Sequence, residues 1–489
     1  MDMIINRDVA ATIPASLAER HQIIPVGREG STITLAMADT ANLFAIDDVR
    51  MITHCSIKPM RAGEREIARA ISQVYGIRGL AEKGVNQIQA DEPPQDRKTA
   101  ESAPAVRIVN SLITKALQER ASDIHIEPID SHVRVRFRID GILREMVTFP
   151  HAVFPSVVSR IKIMANLDIT ERRLPQDGRA EIVEQGREVD LRISTMPTIS
   201  GEKVAIRVLD KGSVVLRVDA LGFSAKNQAA FRKLYTQSYG MVIVTGPTGS
   251  GKTTTLYSVM NELNTPQKNL ITIEDPIEYR LGGINQIQVN QKVGLTFAAG
   301  LRSILRQDSN IIMVGEIRDF ETAQIAVRAA LTGQLVFATL HTNDASGAIT
   351  RLIDIGVEPY LVSSSLLGVV AQRLVRVICP YCKTSYAPET DSLETSFLEG
   401  VCDRNREFFI GNGCMRCSHT GYNGRMAIHE VMSITAPLRD LINQKVSSDE
   451  LAGMAKRERM TTMRQDGIEK ACQGLTTVAE VMRVASSSV

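Results

Sequence analysis

Residues 241–257 read MVIVTGPTGSGKTTTLY, and this stretch decides the fold of the second half of the chain. Met241 to Thr245 is a short apolar run suited to a buried strand, and the eight residues after it, Gly246 to Thr253, match G-x-x-x-x-G-K-[ST]. Glycines at 246, 249 and 251 let the backbone curl until its N–H groups converge, and the helix that follows adds the positive end of its dipole. Such a cradle suits the α- and β-phosphates of a nucleotide. Gly246, Pro247, Thr248, Gly249, Ser250, Gly251, Lys252, Thr253 and Thr254 are therefore the candidate nucleotide-binding residues. Lys252 offers a point charge to the β- and γ-phosphates of ATP, and the Thr253 hydroxyl is placed to ligate Mg²⁺. A plain glycine-rich turn is the bland alternative, and the strand in front of the loop argues against it.

The segments LITIE (270–274), IIMV (311–314) and LVFAT (335–339) repeat the pattern of a near-continuous apolar strand followed by a helical stretch. That alternation predicts a largely parallel sheet covered on both faces. Ligands bind such sheets at the carboxyl ends of the strands. Glu274 and Asp275 end one strand, Glu316 follows another through Gly315, and His341 stands between Thr339 and Thr342 after a third. Glu274 and Glu316 each fit a carboxylate that holds Mg²⁺ through water or polarises the attacking water, and the spacing does not divide the two roles. A salt bridge is the alternative for each. His341 is a candidate sensor of the γ-phosphate.

A second constellation is Cys379-Pro-Tyr-Cys382 followed, 31 residues later, by Cys414-Met-Arg-Cys417. Two C-x-x-C knuckles fit Zn²⁺ with all four positions taken by thiolate, which makes a closed structural site. The long connection implies a small subdomain at 379–417. Cys55, Cys402 and Cys472 lack paired spacing and read as small buried hydrophobes.

Upstream, 489 residues are enough for two to four domains. Residues 1–80 alternate apolar runs such as ITLAMA (33–38) with helical patterns and suit a small α/β docking domain. Residues 81–104 are rich in Pro, Asp, Glu and Lys and read as a flexible linker. Residues 105–222 form a further α/β domain, in which VRVRFRID (133–140) alternates apolar residues with Arg134, Arg136 and Arg138. Turns are expected at Asp140-Gly141, Asp177-Gly178 and Ser200-Gly201. Residues 223–489 complete the chain as the nucleotide-binding domain. The arginines of the middle domain, including Arg192 and Arg207, read either as a solvated face or as cations lent to a phosphoryl group.

Composition narrows the classes. With 44% hydrophobic and 23% charged residues the chain is an ordinary globular protein, and its longest apolar stretch, residues 361–379, is interrupted by Gln372, Arg373 and Arg376. No membrane span and no secretory leader are expected, which predicts a cytoplasmic protein. A net charge of +2 and the absence of Trp argue against nucleic acid as a partner.

Several blocks together resemble one family, the secretion ATPases of type II secretion systems and type IV pili. They include ASDIHIEP (121–128), RRLPQDGR (172–179), GPTGSGKTTTLY (246–257), EDPIEY (274–279), GLRSILRQDSNIIMVGEIRD (300–319), AALTGQLVFATLHTND (329–344) and AQRLVRVICPYC (371–382). The resemblance implies a RecA-like P-loop ATPase domain, a middle domain that supplies arginines matching Arg192 and Arg207, and a homo-hexamer with ATP held between the two. It also implies an inner-membrane platform protein captured by residues 1–80. The run SSSLLGVVAQRLVR (363–376) and the single N-terminal domain are more like the type II secretion branch than the pilus extension branch. A nucleic-acid translocating motor is the remaining, less favoured class. The N-terminus carries no convincing match to the cyclic-di-GMP motif of some relatives.

Overall fold

The structure is a computed structural model that describes residues 7–10, 12–68, 70–71, 74–75, 104–184, 186–210, 217–389, 392–401 and 406–485. It divides into two compact units, Met1–Ser213 and Val214–Val489. The expected linker lies outside the described residues except for Pro104, which opens the helix Pro104–Gln118.

In the first unit, β1 (Ile23–Glu29) pairs antiparallel with β2 (Thr32–Met37), and β2 runs parallel to β3 (Ser56–Arg61). The connection between β2 and β3 is the helix Leu43–Thr53, started by the Asn42 side chain accepting the Ala45 N–H and stopped by His54 in the left-handed region at φ 53°. Ala45, Ile46 and Val49 bury one face of that helix against Ile23, Ile24 and Leu35.

The same unit contains β4 (Ala121–Pro128), β5 (Val133–Ile139), β6 (Ile142–Phe149), β7 (Gln176–Glu184), β8 (Arg187–Thr198) and β9 (Gly201–Asp210). They form one sheet in the order β6-β5-β4-β9-β8-β7, antiparallel throughout. Alternation in β5 works as the period predicts: Val133, Val135 and Phe137 are fully buried under the helices Pro104–Gln118 and Phe154–Met164. Each such side chain contributes roughly 1.5–3 kcal/mol. The arginines between them are no freely solvated row, because Arg136 makes two 2.8 Å bonds to Glu127 and Arg138 pairs with Asp123 at 3.3 Å. Asp177-Gly178 is not a turn either. Both residues lie inside β7, where a Cβ on Gly178 would come within 2.6 Å of the Ala165 carbonyl oxygen, so the glycine serves close packing.

The second unit is built on β10 (Gly240–Thr245), β11 (Leu270–Glu274), β12 (Asn285–Gln288), β13 (Ile311–Val314), β14 (Leu335–Leu340) and β15 (Leu366–Ile378). After a hairpin of β16 (Lys383–Tyr386) and β17 (Phe408–Gly411), β18 (Tyr422–Ser433) returns to the sheet. The order is β12-β11-β13-β14-β10-β15-β18, with every pair parallel except β15 and β18. This is the RecA-like α/β arrangement, with the loop-bearing strand between two parallel neighbours. Helix Lys252–Leu263 covers one face, while Phe320–Leu331 and Ala345–Asp354 cover the other. Among the described residues no helix is long and apolar enough to cross a membrane.

Candidate functional site

The loop after β10 takes the conformation its glycines allow: Gly246, Gly249 and Gly251 have φ of 148°, 77° and 89°. A side chain at Gly246 would also meet the Gln372 carbonyl oxygen at 2.4 Å. Lys252 heads the helix Lys252–Leu263, is 9% exposed, and donates to the Gly246 and Pro247 carbonyls at 2.8 and 3.1 Å. Burial brings its ammonium down to about 8, with Glu316 pulling the other way. The cation is thus held folded against its own loop, with its hydration largely removed. A polyphosphate would restore the lost counter-charge. Thr253 and Thr254 follow in the first helical turn, both half-buried.

Glu316 reaches the same region. Gly315 donates to the Ile273 carbonyl at 2.8 Å and accepts from Thr339 Oγ1 at 2.6 Å, which fixes the turn that carries the carboxylate. The side chain is 14% exposed, accepts from Arg318 at 2.6 Å and lies 3.6 Å from His341 Nε2. The His341 imidazole is lowered from its ordinary value by burial first and by Lys252 next, so it is neutral at pH 7. Thr342 N donates to Thr245 Oγ1 at 2.9 Å, tying the histidine segment to the end of β10. Lys252, Glu316 and His341 are therefore one electrostatic group.

Glu274 is placed differently. It is 3% exposed and accepts from Tyr257 at 2.5 Å, Thr272 at 2.6 Å and Gln286 at 3.2 Å. Burial raises its carboxyl above the ordinary range, opposed by those three donors. Its oxygens are occupied by the protein, whereas Asp275 beside it is exposed. Sequence reading passed over three residues here. Tyr257 joins the loop helix to Glu274, Glu278 donates its backbone N–H to Tyr257 at 3.3 Å, and Gln372 lies beneath the loop. A polar residue inside an apolar strand run, as Gln372 is, was the available signal, since a buried amide needs partners.

In the first unit, Arg192 and Arg207 are direct cross-strand partners. Arg179 stands opposite Arg192, and Asp123 stands opposite both Arg207 and Arg138. Directly opposed residues share a face, so four arginines and one aspartate cross this sheet in a row. Arg207 is 53% exposed and 3.3 Å from Asp123. The excess of positive charge suits an anion.

The four predicted cysteines come together, with all Sγ atoms within 4.8 Å of one another. Cys379–Cys414 and Cys382–Cys417 are 3.8 Å apart and Cys414–Cys417 3.7 Å. Tetrahedral ligation at a Zn–S distance of ~2.3 Å requires sulfurs about 3.8 Å apart, so the donor set and its spacing fit that ion. Backbone N–H groups of Cys414 and Gly421 point at Cys417 Sγ from 3.2 and 3.3 Å. Burial pushes this thiol up, but those donors outweigh it and bring it down to about 6. Of the other cysteines, Cys55 is buried, Cys472 is partly buried, and Cys402 lies outside the described residues.

Comparison with known proteins places this geometry. Residues 98–483 match the family described as Type II/IV secretion system protein, and residues 2–80 match the MshEN domain. The chain is 44% identical to the type IV pilus assembly ATPase PilB of Myxococcus xanthus, over 98% of this chain and 87% of that one. It is 42% identical to the type II secretion system ATPase E of Vibrio cholerae, over the whole of both. Among solved structures, the pilus retraction motor PilT with bound ADP superposes with a TM-score of 0.51 at 26% identity, covering 77% of this chain and 96% of that one. The chain belongs to the family of type II/IV secretion system proteins.

Proposed function

We propose that this protein is a Mg²⁺-dependent ATP hydrolase that works as a homo-hexamer at the cytoplasmic side of the inner membrane, driving pseudopilus assembly and protein export by type II secretion. The observation that carries the proposal is the convergence of Lys252, Glu316 and His341 at the phosphate-binding loop. The Thr253 hydroxyl and Glu316 would hold Mg²⁺, which when bound would supply charge to the β- and γ-phosphates. Lys252 leaves its loop carbonyls to bind the same oxygens. Glu316 orients water, and neutral His341 reports the γ-phosphate to it. Glu274 contributes from its buried position by holding the strand end that carries Asp275. Cys379, Cys382, Cys414 and Cys417 would hold Zn²⁺, which would close the inserted subdomain.

Arg192 and Arg207 bring the remaining positive charge from the middle domain. An inserted arginine is worth about 10³-fold or more in phosphoryl transfer, while an exposed ion pair contributes only ~0–1 kcal/mol to stability. Arg207→Ala is therefore expected to lower turnover about 10³-fold with an unchanged melting temperature. Unchanged turnover by phosphate-release assay would remove the arginine from the mechanism.

Residues 1–80 serve as the docking domain for a membrane platform protein. Leu43, Phe44, Met51 and Ile52 leave an apolar face exposed on the helix Leu43–Thr53, which supports this role. The 44% identity to a pilus assembly ATPase favours a second reading, pilus extension by the same chemistry. A strain lacking the protein separates the two. Loss of exported proteins with surface pili retained is expected, and the opposite phenotype establishes the pilus reading.

A further inference from the structure

Gln372 is a fully buried amide, 1% exposed, on β15 directly beside the end of β10, where Thr245 is in register with Ala371. Its Nε2 donates to the Ser250 carbonyl at 2.7 Å, and its Oε1 accepts from Thr255 Oγ1 at 2.8 Å. Its own backbone oxygen and its Nε2 are the atoms that a Cβ at Gly246 and at Gly251 would meet, at 2.4 and 3.1 Å. One residue thus forms the floor of the loop and touches it at both ends.

The consequence lies in the Ser250–Gly251 peptide. This peptide is trans, so its carbonyl and its N–H point in opposite directions. With the Ser250 oxygen held down on Gln372, the Gly251 N–H is turned the other way, toward the mouth of the loop. This peptide turns about the Ser250 ψ and the Gly251 φ, and a glycine at 251, with φ 89°, makes that rotation cheap. Something outside the loop must therefore select its orientation. We propose that Gln372 is a positioning residue for nucleotide binding, aiming the Gly251 N–H at the phosphates by anchoring the Ser250 carbonyl beneath the loop. The proposal rests on the reading of residues 246–254 as a nucleotide site.

The Thr255 contact is the internal control. It satisfies Oε1, while the Ser250 carbonyl, which can only accept, by itself keeps Nε2 facing the loop; Thr255 is on the helix and not on the phosphate-binding backbone. The test is fluorescence titration of the full-length protein with a fluorescent ADP analogue, together with ATP turnover and thermal melting. For Gln372→Met, the dissociation constant and KM are expected to rise about tenfold, with kcat at saturating ATP within about twofold of wild type. Both variants are expected to melt lower than wild type, yet Thr255→Val is expected to bind within about twofold of it. Should Gln372→Met fail to fold, Gln372→Asn keeps a neutral amide, draws its nitrogen back from the Ser250 carbonyl by one methylene, and carries the same expected rise. Equal binding by wild type and the folded Gln372 variant overturns this proposal alone, as does equal weakening by Thr255→Val. Absence of binding by wild type overturns the nucleotide reading and this proposal with it.

Discussion

Lys252→Ala is expected to reduce ATP turnover by about 10³-fold, to the background of the assay. The side chain is almost completely enclosed, and its ammonium, brought down to about 8, is poised between its loop carbonyls and an incoming phosphate. It is still protonated at pH 7. Because burial has already removed most of its water, engaging the γ-phosphate costs little further desolvation, and the full charge acts where negative charge develops. Alanine leaves the loop backbone in place, since the loop conformation is set by its glycines and by Gln372. The variant is therefore expected to fold. Near-normal phosphate release by Lys252→Ala would remove the loop from the chemistry.

The second large effect concerns metal. Among the described residues between its cysteine pairs, the chain makes only a hairpin of two four-residue strands and the six-residue helix Leu393–Leu398. A hairpin of that size is marginal in water, and the buried apolar residues described in this insert, Leu398 and Phe408, are few. Structural zinc supplies roughly 10–16 kcal/mol of binding free energy, far more than that core. Metal analysis is expected to find about one zinc per chain. Cys379→Ser combined with Cys414→Ser is expected to release it and open residues 383–413 to protease, while the register of β15 with β18 preserves the main sheet. A metal-free protein whose insert resists protease would refute the site.

Features carried by local chemistry are legible in the chain itself. The glycine pattern of the loop, the apolar strands that end at Glu274, Glu316 and His341, and the paired cysteines each lie within a few consecutive residues. What escapes such reading depends on which strands become neighbours. Gln372 is 119 residues from Thr253, and only the placement of β15 beside β10 brings it under the loop. The same holds for the two glutamates. Both follow apolar strands, yet Tyr257 and Gln286 seal one while the other is left facing Lys252. The arginine row requires the register of β8 with β9, and the Asp177-Gly178 pair misleads because a close backbone approach demands glycine as strongly as a turn does.

Magnesium-dependent ATP hydrolysis by the loop and its carboxylates is the activity at stake. Its most direct test is phosphate release by the purified full-length protein, measured with Mg²⁺ and again with excess chelator, with Lys252→Ala run alongside. Steady turnover with Mg²⁺ is expected, falling to the level of the variant when the ion is removed. Turnover that is indifferent to Mg²⁺, or no higher in wild type than in Lys252→Ala, would contradict it.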